Sequence, residues 1–278
     1  MKFTGAWLLY EMDKKLLGYS AHTLKGYGIQ LRLLVKALGD RDIEDVTLFD
    51  LKGYLAGLTK LKPASIGHRV RFIKSLYSWA HNEGVITQNV ASKLREPKTG
   101  LRLPKALGEE DIELLREGCV SAFEHAIVEF FYTSGCRIGE VVAINRNSID
   151  WETRSVIVRG KGDKEREVYF SVKAAIWLKK YLKGRKDSDT ALFVTERAPH
   201  RMSISQLRER VKQVAVRAGV GAAVYPHKLR HSYATHLLNN GAPLEVIQSL
   251  LGHAKMETTR LYAQLSGARR RDLYQRYF

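Results

Sequence analysis

The stretch REPKTGLRLPK, residues 95 to 105, most constrains how this chain can fold. Two prolines and a glycine in so short a run can form neither a continuous helix nor a core strand, because proline lacks an amide hydrogen and glycine is conformationally free. Such runs are typical of linkers, and 278 residues suffice for a core on each side. The sequence therefore predicts two domains, residues 1–97 and 106–278, joined by a linker at 98–105.

Upstream of the linker, apolar residues recur at spacings of three and four, which is typical of amphipathic helices. One helix is predicted over residues 21–38, and its core-side positions are Leu24, Tyr27, Leu31, Leu34 and Leu38. A second is predicted over 64–82, with Pro63 in its first turn and with core-side positions Ile66, Val70, Ile73, Tyr77 and Ala80. The N-terminal domain is therefore predicted to be helical.

A different face of the second helix carries Gly67, Arg71, Lys74 and Ser78. Small and cationic residues together suit a phosphate backbone, which makes Arg71 and Lys74 candidate DNA contacts. An ordinary solvated helix face has the same pattern, and the pattern alone leaves both interpretations open.

The chain is strongly basic, with 46 Lys and Arg against 29 Asp and Glu and a net charge of +17. A field of this sign attracts polyanions, of which nucleic acid is the commonest, although a solvated basic surface is the alternative. No run is long and apolar enough for a membrane span, and no signal peptide is recognisable, so a cytoplasmic protein without membrane partners is expected. Cys119 and Cys136 form no CxxC pair, which disfavours a disulfide framework or a cysteine metal site.

Downstream of the linker, an apolar helix over residues 126–133 is predicted to end at Ser134-Gly135, before CRIGEVVAI. Arg137 interrupts this apolar run, so a buried arginine with Glu140 as its partner is expected. The pair either fixes packing only or holds the guanidinium so that its remaining donors face an anion.

Residues 149 to 170 change the pattern, because VIV and REVYF alternate like strands around the glycine-containing turn GKGDK. The fold class predicted is therefore mainly α with a small antiparallel β-sheet. Lys161 falls at the exposed tip of this hairpin, where a lysine is usually just solvated. The turn is too short for a P-loop.

The segment HKLRHSYATHLL places His227 and Arg230 on one face of a helix that starts near Pro226. His227 and His231 have the spacing of a zinc motif, but Lys228 and Arg230 add positive charge beside any cation, so no metal is expected. A later helix with core positions Leu244, Ile247, Leu250 and Leu251 is ended by Gly252, which displays His253. Tyr262 follows on a further helix that can begin at Thr258.

The motifs GCRIGE, GKGDK, HKLRHSYATHLL, LLGH and TTRLY, in this order, resemble the signature of the tyrosine recombinases of the phage integrase family, most closely the Xer-type enzymes, archaeal ones among them. The resemblance covers most of the chain. It implies a helical, SAM-like core-binding domain followed by an α+β catalytic domain.

The resemblance also implies a metal-free and ATP-independent site without cofactors. Arg137 and Arg230 would clamp the scissile phosphate, and Lys161 would reach in from the hairpin as general acid. His227 and His253 would hydrogen-bond the same phosphate, Tyr262 would attack it to give a 3′-phosphotyrosyl link, and Glu140 would give support. Read singly, Tyr262 could be a core aromatic, His253 a helix cap and His227 the partner of a buried carbonyl.

The partners that the resemblance implies are double-stranded DNA with inverted-repeat arms and a homo-tetramer on that DNA. The C-terminal segment with Leu273, Tyr277 and Phe278 either docks on the neighbouring protomer or packs on its own domain. Three functions stay open: a site-specific recombinase that resolves chromosome dimers or integrates a mobile element, a type IB topoisomerase, and a DNA-binding protein with a silent tyrosine.

Overall fold

The computed structural model describes residues 1–98, 106–160, 163–221 and 224–252 of the chain. The chain divides into two compact units, Met1–Leu101 and Arg102–Phe278. The division falls within the stretch predicted as a linker, but residues 99–105 lie outside the described ranges. The bounds proposed for the two domains and the linker therefore stay a prediction.

The first unit is built of four helices and a short 3₁₀ turn at Val90–Lys93. The helices are α1 (Phe3–Leu16), α2 (Ala21–Leu38), α3 (Leu48–Ala56) and α4 (Pro63–Asn82). Local sequence explains where they begin: the hydroxyl of Ser20 accepts a hydrogen bond from the amide of Thr23 at the start of α2, and Pro63 opens α4. Both helices predicted in this domain are confirmed.

Aromatic side chains from three helices form the centre of this unit. Their ring centroids lie 5.4 to 6.4 Å apart in a chain of tilted and edge-on contacts that joins Trp7, Tyr10, Tyr27, Phe72 and Trp79. The buried hydroxyl of Tyr10 lies 2.8 Å from that of Ser75, so this polar group is satisfied inside the core.

The second face of α4 is less open than its sequence pattern predicts. Gly67 is buried, and a β-carbon there would lie 3.0 Å from a carboxylate oxygen of Glu96. Arg71 pairs with Glu96, and Lys74 donates to the carbonyl of Leu94 at 3.3 Å. The chain that follows α4 therefore packs on this face, where Leu94 and Glu96 bind its two cations.

The second unit is mainly helical with one small sheet. Its helices are α5 (Glu109–Glu117), α6 (Ala122–Ser134), α7 (Ile138–Ala143), α8 (Val172–Lys183), α9 (Ile204–Arg217), α10 (Pro226–Asn239) and α11 (Leu244–Leu251). The α6 helix lies at the centre, in contact with α8, α9 and α10, and its core residues Phe130 and Phe131 are fully buried. The predicted fold class, mainly α with a small antiparallel sheet in the second domain, is confirmed.

Three antiparallel strands lie in the order β1-β2-β3: Ile149–Asp150, Ser155–Arg159 and Glu165–Tyr169. The register pairs Val156 with Val168 and Val158 with Arg166, so one face of the hairpin lies toward the core. The predicted hairpin is confirmed and carries one additional short strand. Lys161, predicted at its tip, lies outside the described residues.

Two helices end where glycine allows the backbone to turn. Gly135 after α6 and Gly252 after α11 both adopt the left-handed conformation, with φ of 60° and 61°. Within the described ranges, no helix is both long and apolar enough to cross a bilayer.

Candidate active site

Among the described residues of the second unit, Arg230 is the most deeply buried cation, with 1% of its surface exposed. From the second turn of α10 it donates to the carbonyl oxygens of Gly135 at 2.5 Å and of Leu251 at 2.6 Å. A buried charge is costly unless it is hydrogen-bonded, and these acceptors belong to the ends of two other helices. Arg230 therefore ties α10 to the ends of α6 and α11.

Gly135 lets α10 and α11 pack closely against the end of α6, because it has no side chain. A β-carbon at Gly135 would lie 2.5 Å from Cδ1 of Tyr233 and 3.3 Å from Cδ2 of Leu251. The left-handed backbone would disfavour a side chain independently of this clash. Glycine is therefore the residue that fits between α6, α10 and α11 here.

Arg137 differs from the sequence-based expectation, which placed it in a buried apolar run. Its side chain is 39% exposed, because Arg137 is the residue before the first turn of α7 rather than part of an apolar helix face. The buried member of the pair is Glu140, whose side chain is 4% exposed. The carboxylate of Glu140 accepts from the amide of Arg137 at 2.7 Å and from its guanidinium at 2.9 Å.

Arg166 completes this arrangement and was not singled out in the sequence. From β3 it donates to both carboxylate oxygens of Glu140, each at 2.8 Å, and from Nε to the carbonyl of Leu250 at 3.1 Å. The available signal was strand alternation, since Arg166 shares its side of β3 with the buried Val168, and Phe170 follows in the same phase.

Burial alone would raise the pKa of Glu140, but the hydrogen bonds and charge of Arg166, helped by Arg137, hold that pKa below its ordinary value. Glu140 is therefore a carboxylate at neutral pH, and its two arginines are compensated in a largely dry environment.

The C-terminal end of α11 is where the three arginines meet. The last carbonyl groups of a helix lack intrahelical partners and carry the negative end of its dipole. Arg166 donates to the first of three successive carbonyls, Arg230 to the second, and Arg137 to the third at 3.1 Å; these belong to Leu250, Leu251 and Gly252. Three separate elements thus fix the point at which the chain leaves α11.

His227 lies in the first turn of α10, exposed at the surface, three residues before Arg230. Although His227 keeps accessible surface, the protein atoms packed around it displace part of the hydration of its imidazole, which lowers its pKa. The positive charges of Arg230 and Arg137 lower the pKa further. His227 is therefore neutral at pH 7 and within electrostatic reach of both arginines.

Three predicted site residues, Lys161, His253 and Tyr262, lie outside the described ranges. Gly160 precedes Lys161, and a β-carbon on Gly160 would lie 3.5 Å from Oε1 of Glu140. Gly252 precedes His253 and is in contact with Arg137. Of the predicted site, the structure brings together Arg137, Glu140, Arg230 and His227.

The chemical character of the described cluster is cationic. The cluster holds three guanidinium groups and one carboxylate, and that carboxylate, Glu140, pairs with Arg137 and Arg166. Positive charge is therefore in excess, which suits an anionic ligand. No group of three or more histidine, cysteine, aspartate or glutamate side chains that could hold a metal ion occurs in the described part of the chain.

Comparison with known proteins identifies the domains. Residues 105–269 match the model of the phage integrase family, and residues 14–84 match the N-terminal SAM-like domain of phage integrases. The tyrosine recombinase XerC of Proteus mirabilis is 32% identical over 267 residues, covering 92% of this chain and 86% of that protein.

Solved structures agree at the level of the fold. The crystal structure of XerA recombinase matches with a TM-score of 0.58 and 25% identity, covering 99% of this chain and 98% of that one. A lambda integrase tetramer bound to a Holliday junction matches with a TM-score of 0.75 and 19% identity, over 92% of this chain and 78% of that one. The chain belongs to the phage integrase family, as one of its tyrosine recombinases.

Proposed function

We propose that this protein is a site-specific DNA recombinase that cuts and rejoins DNA strands through a covalent 3′-phosphotyrosyl intermediate. The observation that carries the proposal is the convergence of Arg137 and Arg230 on adjacent carbonyls at the end of α11, next to His227. Membership in the family of XerC supports it.

The two arginines are proposed to bind the scissile phosphate. Attack on a phosphodiester gathers negative charge on its non-bridging oxygens, and guanidinium groups meet such oxygens with charge-assisted hydrogen bonds. The imidazole of His227 is neutral at pH 7 because its pKa is lowered. It is suited to donate one further hydrogen bond to the phosphate without adding a positive charge. His253 is proposed to act beside it.

Tyr262 is proposed as the nucleophile. A tyrosine hydroxyl has a pKa of about 10 in water and needs nearby cations to make its anion accessible. Its oxygen forms a bond to phosphorus while the bond to the 5′ oxygen breaks, and that oxygen leaves with a proton. Because the phosphodiester is exchanged and not hydrolysed, the 5′ hydroxyl of another strand reverses the reaction without ATP.

Lys161 is proposed as the general acid that protonates the leaving 5′ oxygen. A substrate with sulfur in place of that oxygen needs no proton, since a thiolate leaves readily. Lys161→Ala is therefore expected to cleave ordinary DNA slowly and the sulfur-containing DNA at nearly the wild-type rate. Equal losses on the two substrates would exclude this role.

The DNA partner is proposed to be a duplex site with two inverted-repeat arms, on which four copies of the chain assemble. The net charge of +17 supports a polyanionic partner. The lambda integrase structure on a Holliday junction contains a tetramer, which supports the same assembly here. Chromosome dimer resolution and integration or excision of a mobile element are the two roles proposed for the reaction.

One experiment tests the function and finds the site. Wild-type protein and Tyr262→Phe are incubated with fragmented host DNA, denatured in detergent, and the covalently attached DNA is sequenced. Adducts from the wild type alone, enriched for one short sequence, are expected. Adducts spread over many sequences would indicate a topoisomerase, and no adduct even with a nicked trapping substrate would indicate a DNA-binding protein.

A further inference from the structure

Arg166 occupies the centre of the site, yet its hydrogen bonds go to the protein. Its side chain is 12% exposed, and its three donor nitrogens all have acceptors: two in Glu140 and one in the carbonyl of Leu250. The charge of Arg166 is thus committed to protein groups, in contrast to Arg137, whose side chain is 39% exposed.

The contact with Glu140 fixes a carboxylate that would otherwise rotate. Arg166 binds both oxygens in the two-pronged geometry that is specific to arginine and carboxylate. The remaining lone pairs then point in defined directions, and the amide and guanidinium of Arg137 use them. The orientation of the exposed Arg137 is therefore set through Glu140 by Arg166.

The second contact of Arg166 fixes the end of α11. Its aliphatic and guanidinium atoms cover Gly252 so closely that a β-carbon there would lie 2.8 Å from Cδ, 3.0 Å from Nε and 3.1 Å from Nη1. Nε also holds the carbonyl of Leu250. These contacts fix the backbone at Gly252, the residue that precedes His253 in the sequence.

We propose that Arg166 is a positioning residue for DNA cleavage, which sets Arg137 through Glu140 and sets the exit from α11 through Leu250 and Gly252. The proposal deepens the proposed function and rests on it. Arg166 thus links three parts of the site: Arg137, the end of α11, and the β2–β3 hairpin, of which β3 is the second strand. The role is indirect: Arg166 touches the residues that would contact DNA and not the DNA.

Removal of Arg166 is expected to slow cleavage without weakening DNA binding. Displacement of a phosphate-binding group by about 1 Å costs on the order of 100-fold in rate. Arg166→Met is therefore expected to lower the single-turnover rate of adduct formation on a nicked substrate by about 10- to 100-fold. The dissociation constant for the same DNA is expected to stay within about threefold, because each guanidinium nitrogen of Arg166 is hydrogen-bonded to the protein and its side chain is only 12% exposed.

The pH profile separates positioning from mere stability. Among the described residues, the groups that face Glu140 are Arg166 from β3, Arg137 before α7 and the thiol of Cys136. Burial raises the pKa of that thiol to about 11, so it is neutral. Without Arg166, burial is opposed by Arg137 alone, so the pKa of Glu140 rises. The rate of Arg166→Met relative to wild type is expected to fall further as pH is lowered from about 8 to about 5.5, as Glu140 takes up a proton.

Two further variants test the route through Glu140. Arg166→Lys keeps the charge but cannot bind both carboxylate oxygens and Leu250 together, so a smaller loss of rate with the wild-type pH profile is expected. In a Glu140→Gln background, Arg166→Met is expected to cost less than it does alone, because part of its effect is already lost.

Arg116→Met is the matched control. Arg116 binds both oxygens of Glu129, a carboxylate with 1% of its side chain exposed, in the same domain. Neither residue contacts Arg137, Glu140 or α11 by any hydrogen bond in the described structure. Loss of thermal stability with an unchanged cleavage rate and pH profile is expected for this variant.

The outcomes are distinct. If wild type forms adducts and Arg166→Met forms them at the same rate and with the same pH profile, positioning by Arg166 is overturned while the proposed function stands. If Arg166→Met does not fold, Arg166→Lys decides: a wild-type rate overturns the proposal. If wild type itself forms no adduct on the nicked substrate, the proposed function fails first, and the inference about Arg166 fails with it.

Discussion

Gly252 meets two constraints at once, and both concern its missing side chain. Its φ of 61° is left-handed, and Arg166 fills the space that a β-carbon would need. A left-handed residue with a side chain costs about 1 to 2 kcal/mol even without a clash. The residue therefore connects backbone conformation at the end of α11 directly with the packing of the site.

Gly252→Ala is expected to lower the free energy of unfolding by more than the about 1 to 2 kcal/mol of the backbone term, and to slow cleavage. Gly219→Ala is the control, because Gly219 has a φ of 71° but no atom within 4 Å of the place that a β-carbon would take. Thermal unfolding and adduct formation measure both effects. Equal destabilisation and equal rates for the two variants would show that the contact with Arg166 is unimportant.

His227 is expected to titrate below the ordinary imidazole pKa of about 6.5, because burial and two neighbouring arginines disfavour its charged form. Arg137→Met removes one positive charge, so the pKa of His227 is expected to rise in that variant while remaining below about 6.5, since burial is the larger cause. Imidazole proton shifts in NMR spectra recorded against pH measure this. A wild-type pKa above 6.5 would contradict the account.

The pairing of Arg137 with Glu140 was predictable from their spacing, but the burial of the two side chains is the reverse of the prediction. An apolar neighbourhood predicted a buried Arg137, whereas a position before the helix leaves its side chain 39% exposed. The buried arginine is Arg230, whose acceptors come from distant parts of the chain. The role of Arg166 was not predicted for the same reason, because its partners Glu140 and Leu250 lie 26 and 84 positions away in the sequence.

The α10 helix serves a second purpose besides holding His227 and Arg230. Two side chains of α10 bind the backbone of Leu107, which lies near the start of the described part of the second unit. The hydroxyl of Ser232 accepts from the amide of Leu107 at 2.8 Å, and Nε2 of His236 donates to its carbonyl at 2.9 Å. With that proton on Nε2, Nδ1 accepts from the hydroxyl of Tyr132 at 2.7 Å. These hydrogen bonds connect the backbone at Leu107 with α10, the helix that carries His227 and Arg230.

Ser232→Ala leaves the buried amide of Leu107 without its acceptor, which costs about 1 to 3 kcal/mol in the free energy of unfolding. Thr235→Ala is the matched control one turn along α10, because its hydroxyl donates only to the carbonyl of His231 in the same helix. A change below about 0.5 kcal/mol is expected there. Denaturant unfolding of both variants measures the difference, and equal effects would contradict the account.

Helices with strong apolar periodicity have the bounds that the sequence predicts. The helix predicted over residues 21–38 has those bounds, and the helix predicted over 64–82 gains only Pro63. The hairpin was predicted from the alternation of apolar and polar residues on both sides of the glycine-containing turn. The strand β1, only two residues long, was missed because so short a run carries no periodicity.

The charge of the whole molecule makes DNA binding sensitive to salt. Each phosphate neutralised releases counterions, so the logarithm of the binding constant falls with the logarithm of salt concentration by about 0.9 per contact. A slope of about −5 or steeper is expected for a chain of net charge +17. A slope near zero in filter-binding or fluorescence titrations would contradict a phosphate-dominated interface.

If the cationic face of α4 contacts DNA, its two cations are expected to contribute unequally to that slope. Lys74→Gln is expected to reduce its magnitude by about 1, whereas Arg71→Gln is expected to reduce it less, because Glu96 already offsets the charge of Arg71. Lys15→Gln, on α1 and paired with Glu11, is the control and should leave the slope unchanged. If Lys74→Gln also leaves it unchanged, this is an ordinary solvated face.

The identity of the covalent link between protein and DNA tests the proposed cleavage chemistry. Adduct formed on a nicked substrate is digested with nuclease and protease, and the peptide that carries a nucleotide is sequenced by mass spectrometry. One modified residue, Tyr262, joined to a 3′ phosphate is expected, with no adduct from Tyr262→Phe. A nucleotide on another side chain, or a link to a 5′ phosphate, would contradict that chemistry.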